Sequence, residues 1–386
     1  MQTEDLKKCF IDIYGEGKMR TFHSPGRVNL IGEHIDYSGG YVFPCALEIG
    51  TLGCVRKRND SKVNLASTNF KLKITADLNN IEYKSEDGWG NYPKGVIKEM
   101  MNKGYKVSGM DMLVSGNIPN GAGLSSSASL EVLTAVIVNS LFNEGKIDMI
   151  DLIKLSQKAE NTFVGVNCGI MDQFAVGMGR KNKAVLLDCN TLQYSYADVN
   201  LKEYSLVIMN TNKRRALNES KYNERRKECE EALKILKCAR NINTLCELGT
   251  KEYNEIEGLI ENENIKKRAR HAVYENERVK EAYSSLNGGR IEDFGRLLTA
   301  SHYSLRDLYE VTGKELDTIV DESLKVNGCI GARMTGAGFG GCAIALVKKD
   351  EIRNFTDTVK KNYKNKIGYE PSFYLSSIGD GTKEID

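Results

Sequence analysis

Pro119-Asn120-Gly121-Ala122-Gly123-Leu124-Ser125-Ser126-Ser127-Ala128-Ser129 separates a β-rich run, Met112-Leu113-Val114, from an apolar helical run that continues to Leu141. A glycine-rich loop feeding a helix start presents backbone N–H groups and the positive end of a helix dipole, which favours polyphosphate. Gly116 and Gly121 have the spacing of a Walker A loop, but Ala122 and Gly123 stand where that loop has lysine and serine or threonine. Phosphate held here would rely on amides, the dipole and hydroxyls, with countercharge from a metal and from residues elsewhere. The same stretch also reads as a small-residue turn with a capping serine. The rest of the chain has to decide.

Working outward, β-rich pieces at 27–31, 53–58, 62–66, 112–115 and 184–188 alternate with predicted helices at 89–102, 128–141 and 150–165. This part reads as α+β with antiparallel pairing. A strand at 205–210 then opens a helix-rich part, with amphipathic runs near 222–238, 264–286, 290–309 and 314–327, before 341–347 returns to strand. At 386 residues the chain exceeds one ordinary core. Two domains are therefore expected, 1–200 and 201–386, packed closely because no flexible linker separates them.

Composition narrows the function. Hydrophobic residues make up 41% and charged residues 27%, as in an ordinary globular protein, and 54 basic against 52 acidic side chains leave a net charge of +2. That balance provides no broad attraction for nucleic acid or anionic lipid, so an anionic ligand must be bound locally. The Lys/Arg clusters at 213–227 and 266–270 are interleaved with Glu and Asn, as on a solvated helix face. Ten cysteines show no paired C-x-x-C spacing and only four histidines could join them, which argues against zinc. The free thiols, a polar N-terminus and the lack of any apolar run near the ~18 residues of a span point to the cytoplasm and away from a membrane. Oligomeric state is not written in the sequence; a monomer is the expectation.

Three polar clusters could carry chemistry. The first is Ser24-Pro25-Gly26-Arg27-Val28-Asn29-Leu30-Ile31-Gly32-Glu33-His34-Ile35-Asp36-Tyr37-Ser38-Gly39-Gly40. Carboxylates grouped in this way suit sugar hydroxyls, each accepting from two O–H donors, although they could equally cap turns and pair with Arg27. The second is Asn167-Cys168-Gly169-Ile170-Met171-Asp172-Gln173-Phe174. Asp172, among apolar neighbours, could take a proton from a hydroxyl during phosphoryl transfer, or serve as a helix cap. The third, Arg333-Met334-Thr335-Gly336-Ala337-Gly338-Phe339-Gly340-Gly341-Cys342, has four glycines in six residues and allows backbone to approach a ligand or another loop.

Together these segments resemble the GHMP small-molecule kinases, and the stretch from Gly26 to Tyr37 is very close to the signature of their galactose-phosphorylating branch. The likeness runs from about residue 20 to beyond 375, with the motifs in order. It implies an N-terminal domain like ribosomal S5 domain 2 and a ferredoxin-like C-terminal domain, with ATP and sugar between them. It also implies transfer of the γ-phosphoryl group of ATP to the anomeric hydroxyl of α-D-galactose. Matched residue by residue, Asp172 resembles the family's catalytic acid/base and Arg27 the cation that keeps it ionised. Glu33, His34, Ile35, Asp36, Gly169 and Tyr222 fall on sugar positions. Gly121, Ala122, Gly123, Leu124, Ser125, Ser126 and Ser127 match the triphosphate loop, with Ser127 and Glu160 at its Mg²⁺ ligands. Ser67, Trp89 and Tyr92 resemble adenine-side positions, although Trp89 and Tyr92 could also be core residues at helical spacing. Ser24 and Ile35 depart from the pattern, where Ala and Thr are common, and leave sugar tolerance open. A kinase for N-acetylgalactosamine or arabinose, or a sugar-sensing relative without catalysis, would share most of these features.

Overall fold

A computed structural model describes residues 1–119, 123–213 and 218–385. Gly121 and Ala122 of the expected triphosphate loop lie outside them. The largest sheet runs in the order β13 (Lys383–Glu384), β1 (Arg20–Asn29), β3 (Pro44–Lys57), β6 (Met110–Gly116), β4 (Lys62–Ser67) and β5 (Ile74–Asp77). Its pairs are antiparallel except β4 with β6. A small sheet joins β2 (Tyr41–Val42), β7 (Lys183–Asp188) and β8 (Tyr194–Asp198). The third sheet has the order β10 (Cys329–Thr335), β11 (Cys342–Lys348), β9 (Tyr204–Asn210) and β12 (Ser372–Leu375), antiparallel throughout.

Strand alternation divides the first sheet into two faces, because successive side chains point to opposite sides. Cys54, Ala66 and Leu113 meet Leu6 and Phe10 of α1 (Thr3–Tyr14). Their neighbours Val55, Leu65 and Met112 face a helical layer of α2 (Asn91–Asn102), α3 (Ser126–Phe142), α4 (Met149–Ala159) and α5 (Met171–Met178). The helix that follows the opening loop, α3, is buried almost all round, Glu131 included. It is an apolar post on which the loop is mounted.

In the second half, α9 (Ile291–Ser304), α10 (Lys314–Leu324) and α11 (Ile352–Ile367) cover the third sheet. A further group, α6 (Asn218–Leu236), α7 (Thr250–Ile256) and α8 (Glu263–Asn287), extends beside them, and α8 also packs on β2 and β8. One apolar core therefore runs from Val28 and Phe43 through Val279 to Ile344. The chain then returns: Gly379 donates to the Ala46 carbonyl, Thr382 to that of Val176, and Glu384 pairs with Phe22 and with the Arg20 guanidinium.

Several boundaries differ from expectation. The strand expected at 27–31 is the end of β1, which stops at Asn29. The helix expected from 89 begins at Asn91, after a 3₁₀ segment in which Gly88 has φ 46°. That expected over 150–165 ends at Ala159 and widens into a π turn over Glu160–Val164. The segments 3–14, 171–178 and 352–367 are helices not expected from the sequence.

Candidate active site

Arg27 lies near the end of β1, just past an irregularity between Pro25 and Arg27. Its guanidinium forks onto Asp172 in the first turn of α5, with Nε to Oδ1 at 2.9 Å and Nη2 to Oδ2 at 2.8 Å. Nη1 donates to the Gly123 carbonyl at 2.5 Å, and the Arg27 backbone N–H donates to that of Leu124. Ser125, in the left-handed region at φ 61° just before α3, donates to Asp172 Oδ2 at 2.5 Å. The described part of the opening loop is thus fastened to the second cluster by the first. A Cβ on Gly26 would come within 2.9 Å of the Leu124 carbonyl, so glycine is what lets loop and strand meet.

Beside this pair is a cavity of about 270 Å³, lined by Arg27, Glu33, His34, Asp36, Gly169, Asp172 and Tyr222, and by Tyr92, Glu160, Gly336 and Ala337 among others. All three sequence clusters contribute to it. Glu33 is almost wholly buried and already engaged: Asn29 donates to Oε2 at 3.0 Å, Thr335 to Oε1 at 3.1 Å and the Gly336 N–H to Oε1 at 2.7 Å. Arg333, fully buried on β10, reaches the same oxygen at 3.5 Å. Glu33 thus ties the first cluster to the third.

Asp36 is placed differently. Burial, and then the Asp172 charge, push its carboxyl up to about 7. Its Oδ2 lies where a side chain on Gly169 would begin, 1.7 Å from an added Cβ. The third cluster's Gly336 approaches the opening loop in the same manner, its added Cβ 3.0 Å from the Gly123 carbonyl. His34, at φ 63°, lies 5.5 Å from the Tyr222 ring, and burial lowers its imidazole to about 3. It is a neutral ring at ordinary pH.

Glu160 opens the π turn and is buried, which raises its pKa. It accepts from Gln173 Nε2 at 2.7 Å, from the Cys168 thiol at 3.3 Å and from Ser127. Gln173 Nε2 also reaches Glu131 at 3.0 Å. Glu131 Oε1 and Gln173 Oε1 are buried with no hydrogen-bond partner among the described residues. Two adjoining buried carboxylates with a hydroxyl beside them form a hard, electron-rich oxygen set that suits a divalent cation such as Mg²⁺.

Not every expected residue comes to the cavity. The Ile35 side chain is fully buried in the apolar core against Gly40, so this position, expected among the sugar contacts, is packed away from them. Leu124 likewise points into the core, and Ser126 is exposed at the start of α3. Ser67, at the end of β4, and Trp89 do not line the cavity. Trp89 and Tyr92 both pack against the core beneath α2, and Tyr92 also reaches the cavity wall. Glu131, Gln173 and Arg333 were given no role from sequence. A lone carboxylate inside the apolar run 128–141 was the signal available for Glu131.

Known proteins resemble this chain over its whole length. The galactokinase galactose-binding signature matches residues 8–57, the GHMP kinases N terminal domain 91–180, and the GHMP kinases C terminal domain 279–365. The galactokinase of Clostridium tetani is 65% identical over 385 residues, covering 100% of this chain and 98% of its own length. That of Ligilactobacillus salivarius is 55% identical, with both chains fully covered. The crystal structure of Lactococcus lactis galactokinase complexed with galactose superposes with a TM-score of 0.97 at 49% identity, covering 99% of each chain. A mevalonate kinase at 19% identity and a TM-score of 0.67 shares the fold. With full-length identity of this order and a matching signature over the strand that carries Arg27, the chain belongs to the galactokinase family of GHMP kinases.

Proposed function

We propose that the cavity binds α-D-galactose and that the protein transfers the γ-phosphoryl group of ATP to its anomeric hydroxyl, giving galactose 1-phosphate and ADP, the first committed step of galactose catabolism. The observation that carries this reading is the forked Arg27–Asp172 pair at the wall of a cavity to which the triphosphate-type loop is fastened. Asp172 accepts the proton of the anomeric hydroxyl as its oxygen bonds the γ-phosphorus and the bond to the β–γ bridging oxygen breaks. Arg27 holds Asp172 in its two-donor fork and offsets the charge that develops. Glu33, His34, Asp36, Gly169 and Tyr222 hold the sugar. The segment from Gly121 to Ser127 holds the triphosphate, with Ser67, Trp89 and Tyr92 toward the adenine. Purified protein assayed with ATP and Mg²⁺ is expected to prefer galactose to N-acetylgalactosamine and arabinose in kcat/KM; no transfer to galactose would overturn the reading.

Ser127 and Glu160 would hold Mg²⁺, which neutralises charge on the triphosphate when bound. Replacing Glu160 by Gln is expected to raise the Mg²⁺ needed for half-maximal activity by about tenfold or more. An unaltered Mg²⁺ requirement would remove Glu160 from this role.

Asp36 makes a pH dependence. A carboxylate accepts from two hydroxyls and its acid form does not, so kcat/KM for galactose is expected to fall as pH is lowered through about 7. Stability has the opposite sign. The raised carboxyl favours the folded state below its unfolded value and loses that contribution as pH rises through about 7. Asp36→Asn should therefore unfold at a higher temperature than the unaltered protein at pH 8, with the gap closing toward pH 4, while losing galactose affinity. A gap that widens as pH falls would overturn this assignment. The ten cysteines are free thiols, which suits the reducing cytoplasm that we propose for it. Among the described residues no helix is long and apolar enough to cross a membrane. A monomer is proposed.

A further inference from the structure

Behind the cavity wall, a line of hydrogen bonds connects parts of the fold far apart in sequence. Cys229 Sγ of α6 lies 3.1 Å from Tyr309 Oη, which lies 2.8 Å from Tyr37 Oη, which lies 2.7 Å from His34 Nδ1. The other ring nitrogen, Nε2, lies 3.1 Å from the Ala337 carbonyl in the third glycine-rich segment. Distances alone leave every hydroxyl free to point either way, yet the ends of the line allow one assignment. A carbonyl only accepts, so Nε2 carries the proton. The buried ring is neutral, which leaves Nδ1 bare and requires Tyr37 to donate to it. The Tyr37 oxygen then accepts from Tyr309, and the Tyr309 oxygen accepts from the thiol.

We propose that Tyr37, backed by Tyr309 and Cys229, is a positioning residue that donates to His34 Nδ1 and holds the imidazole as an Nε2–H bridge between the β1 loop and Ala337, and that this bridge sets affinity for the sugar. The second half rests on the reading of the cavity as the sugar site. His34 needs such a brace. Its backbone is held in the left-handed region, φ 63°, which a non-glycine side chain adopts only when its surroundings over-determine it. The ring also forms part of an aromatic wall, 4.9 Å from Tyr309 and 5.5 Å from Tyr222. Both nitrogens are committed to protein partners, so the ring faces the cavity as a fixed surface. Without the Tyr37 hydroxyl, Nδ1 is a buried acceptor that has lost its donor, and of the ring's two hydrogen bonds among the described residues the Ala337 contact alone is left to orient it.

The chain has four histidines, so protein labelled with ¹⁵N in its imidazoles gives a spectrum simple enough to read the proton on each ring nitrogen. A His34→Gln variant identifies the His34 signals. In sugar-free, unaltered protein at neutral pH, His34 is expected to carry its proton on Nε2, with Nδ1 shifted as a hydrogen-bonded acceptor. In Tyr37→Phe the Nδ1 signal should move toward that of an unbonded nitrogen while Nε2 keeps its proton. The galactose KM should rise about tenfold, the loss of one hydrogen bond, with kcat and the ATP KM unchanged. Tyr309→Phe leaves the Tyr37 donor in place and should keep the Nδ1 signal, with a smaller rise in KM. A proton on Nδ1 in the unaltered protein, or a Tyr37→Phe variant with Nδ1 and galactose KM both unmoved, would overturn the proposal. The tautomer is read without sugar, so failure of the cavity reading shows separately: galactose would leave the His34 signals unmoved, overturning the second half alone.

Discussion

Replacing Asp172 by Ala is expected to lower kcat by about three orders of magnitude while galactose still binds, because a general base positioned on the reacting hydroxyl contributes on that scale. The surroundings of the side chain dictate how the test is read. Arg27 is 5% exposed and gives two of its donors to Asp172, so removing the carboxylate leaves a nearly buried cation whose remaining side-chain acceptor among the described residues is the Gly123 carbonyl. Such a charge costs stability, and the Ala variant should melt at a lower temperature. Asp172→Asn, which keeps the volume and one acceptor, separates the two effects: it should lose turnover to a similar extent and stability less. Calorimetry with galactose then decides whether the loss lies in chemistry or binding. Near-normal turnover in either variant would remove Asp172 from the reaction.

Adding one methyl group to Gly169 should do comparable damage to binding. The new Cβ would fall 1.7 Å from Asp36 Oδ2 and 2.4 Å from its Cγ, so the carboxylate must leave its place. On the sugar-binding role proposed for Asp36 an acceptor for two hydroxyls is then lost, and the galactose KM of Gly169→Ala is expected to rise about a hundredfold or more. Pairing it with Asp36→Ala distinguishes a clash from a general weakening. The double variant should regain the melting temperature lost by Gly169→Ala without regaining affinity, a coupling between touching residues. A Gly169→Ala protein with a galactose KM within about threefold of the original would show that Asp36 is not held against residue 169 when sugar binds.

Much of this site was legible before any coordinates. The order strand, glycine-rich loop, helix is visible because the residues of 112–141 change period at the loop, and the clusters around Arg27 and Asp172 announce themselves by polar density. What the sequence did not disclose depends on partners distant in the chain. Glu33 looks like a free acceptor beside His34 and Asp36, yet Thr335 and Gly336, some 300 positions later, occupy one of its oxygens. Ile35 stands between two cavity residues, but its backbone geometry turns it into the core. Helix α5 has no amphipathic stripe to read, since it is buried nearly all round. The helices α1 and α11 did leave a signal: Leu6 and Phe10, and Phe355, Val359 and Tyr363, recur at four-residue spacing.

Residues 376–385 have a consequence for how the chain is made. They lie across β1, β3 and the start of β7, and the last strand closes the sheet edge next to the strand that carries Arg27. On the ribosome the first sheet is therefore complete in every strand but one while the whole second half is still being synthesised. At Phe22 and His23 the edge of β1 stays unpaired until residues 383 and 384 emerge, which leaves a short template for wrong pairing in the interval.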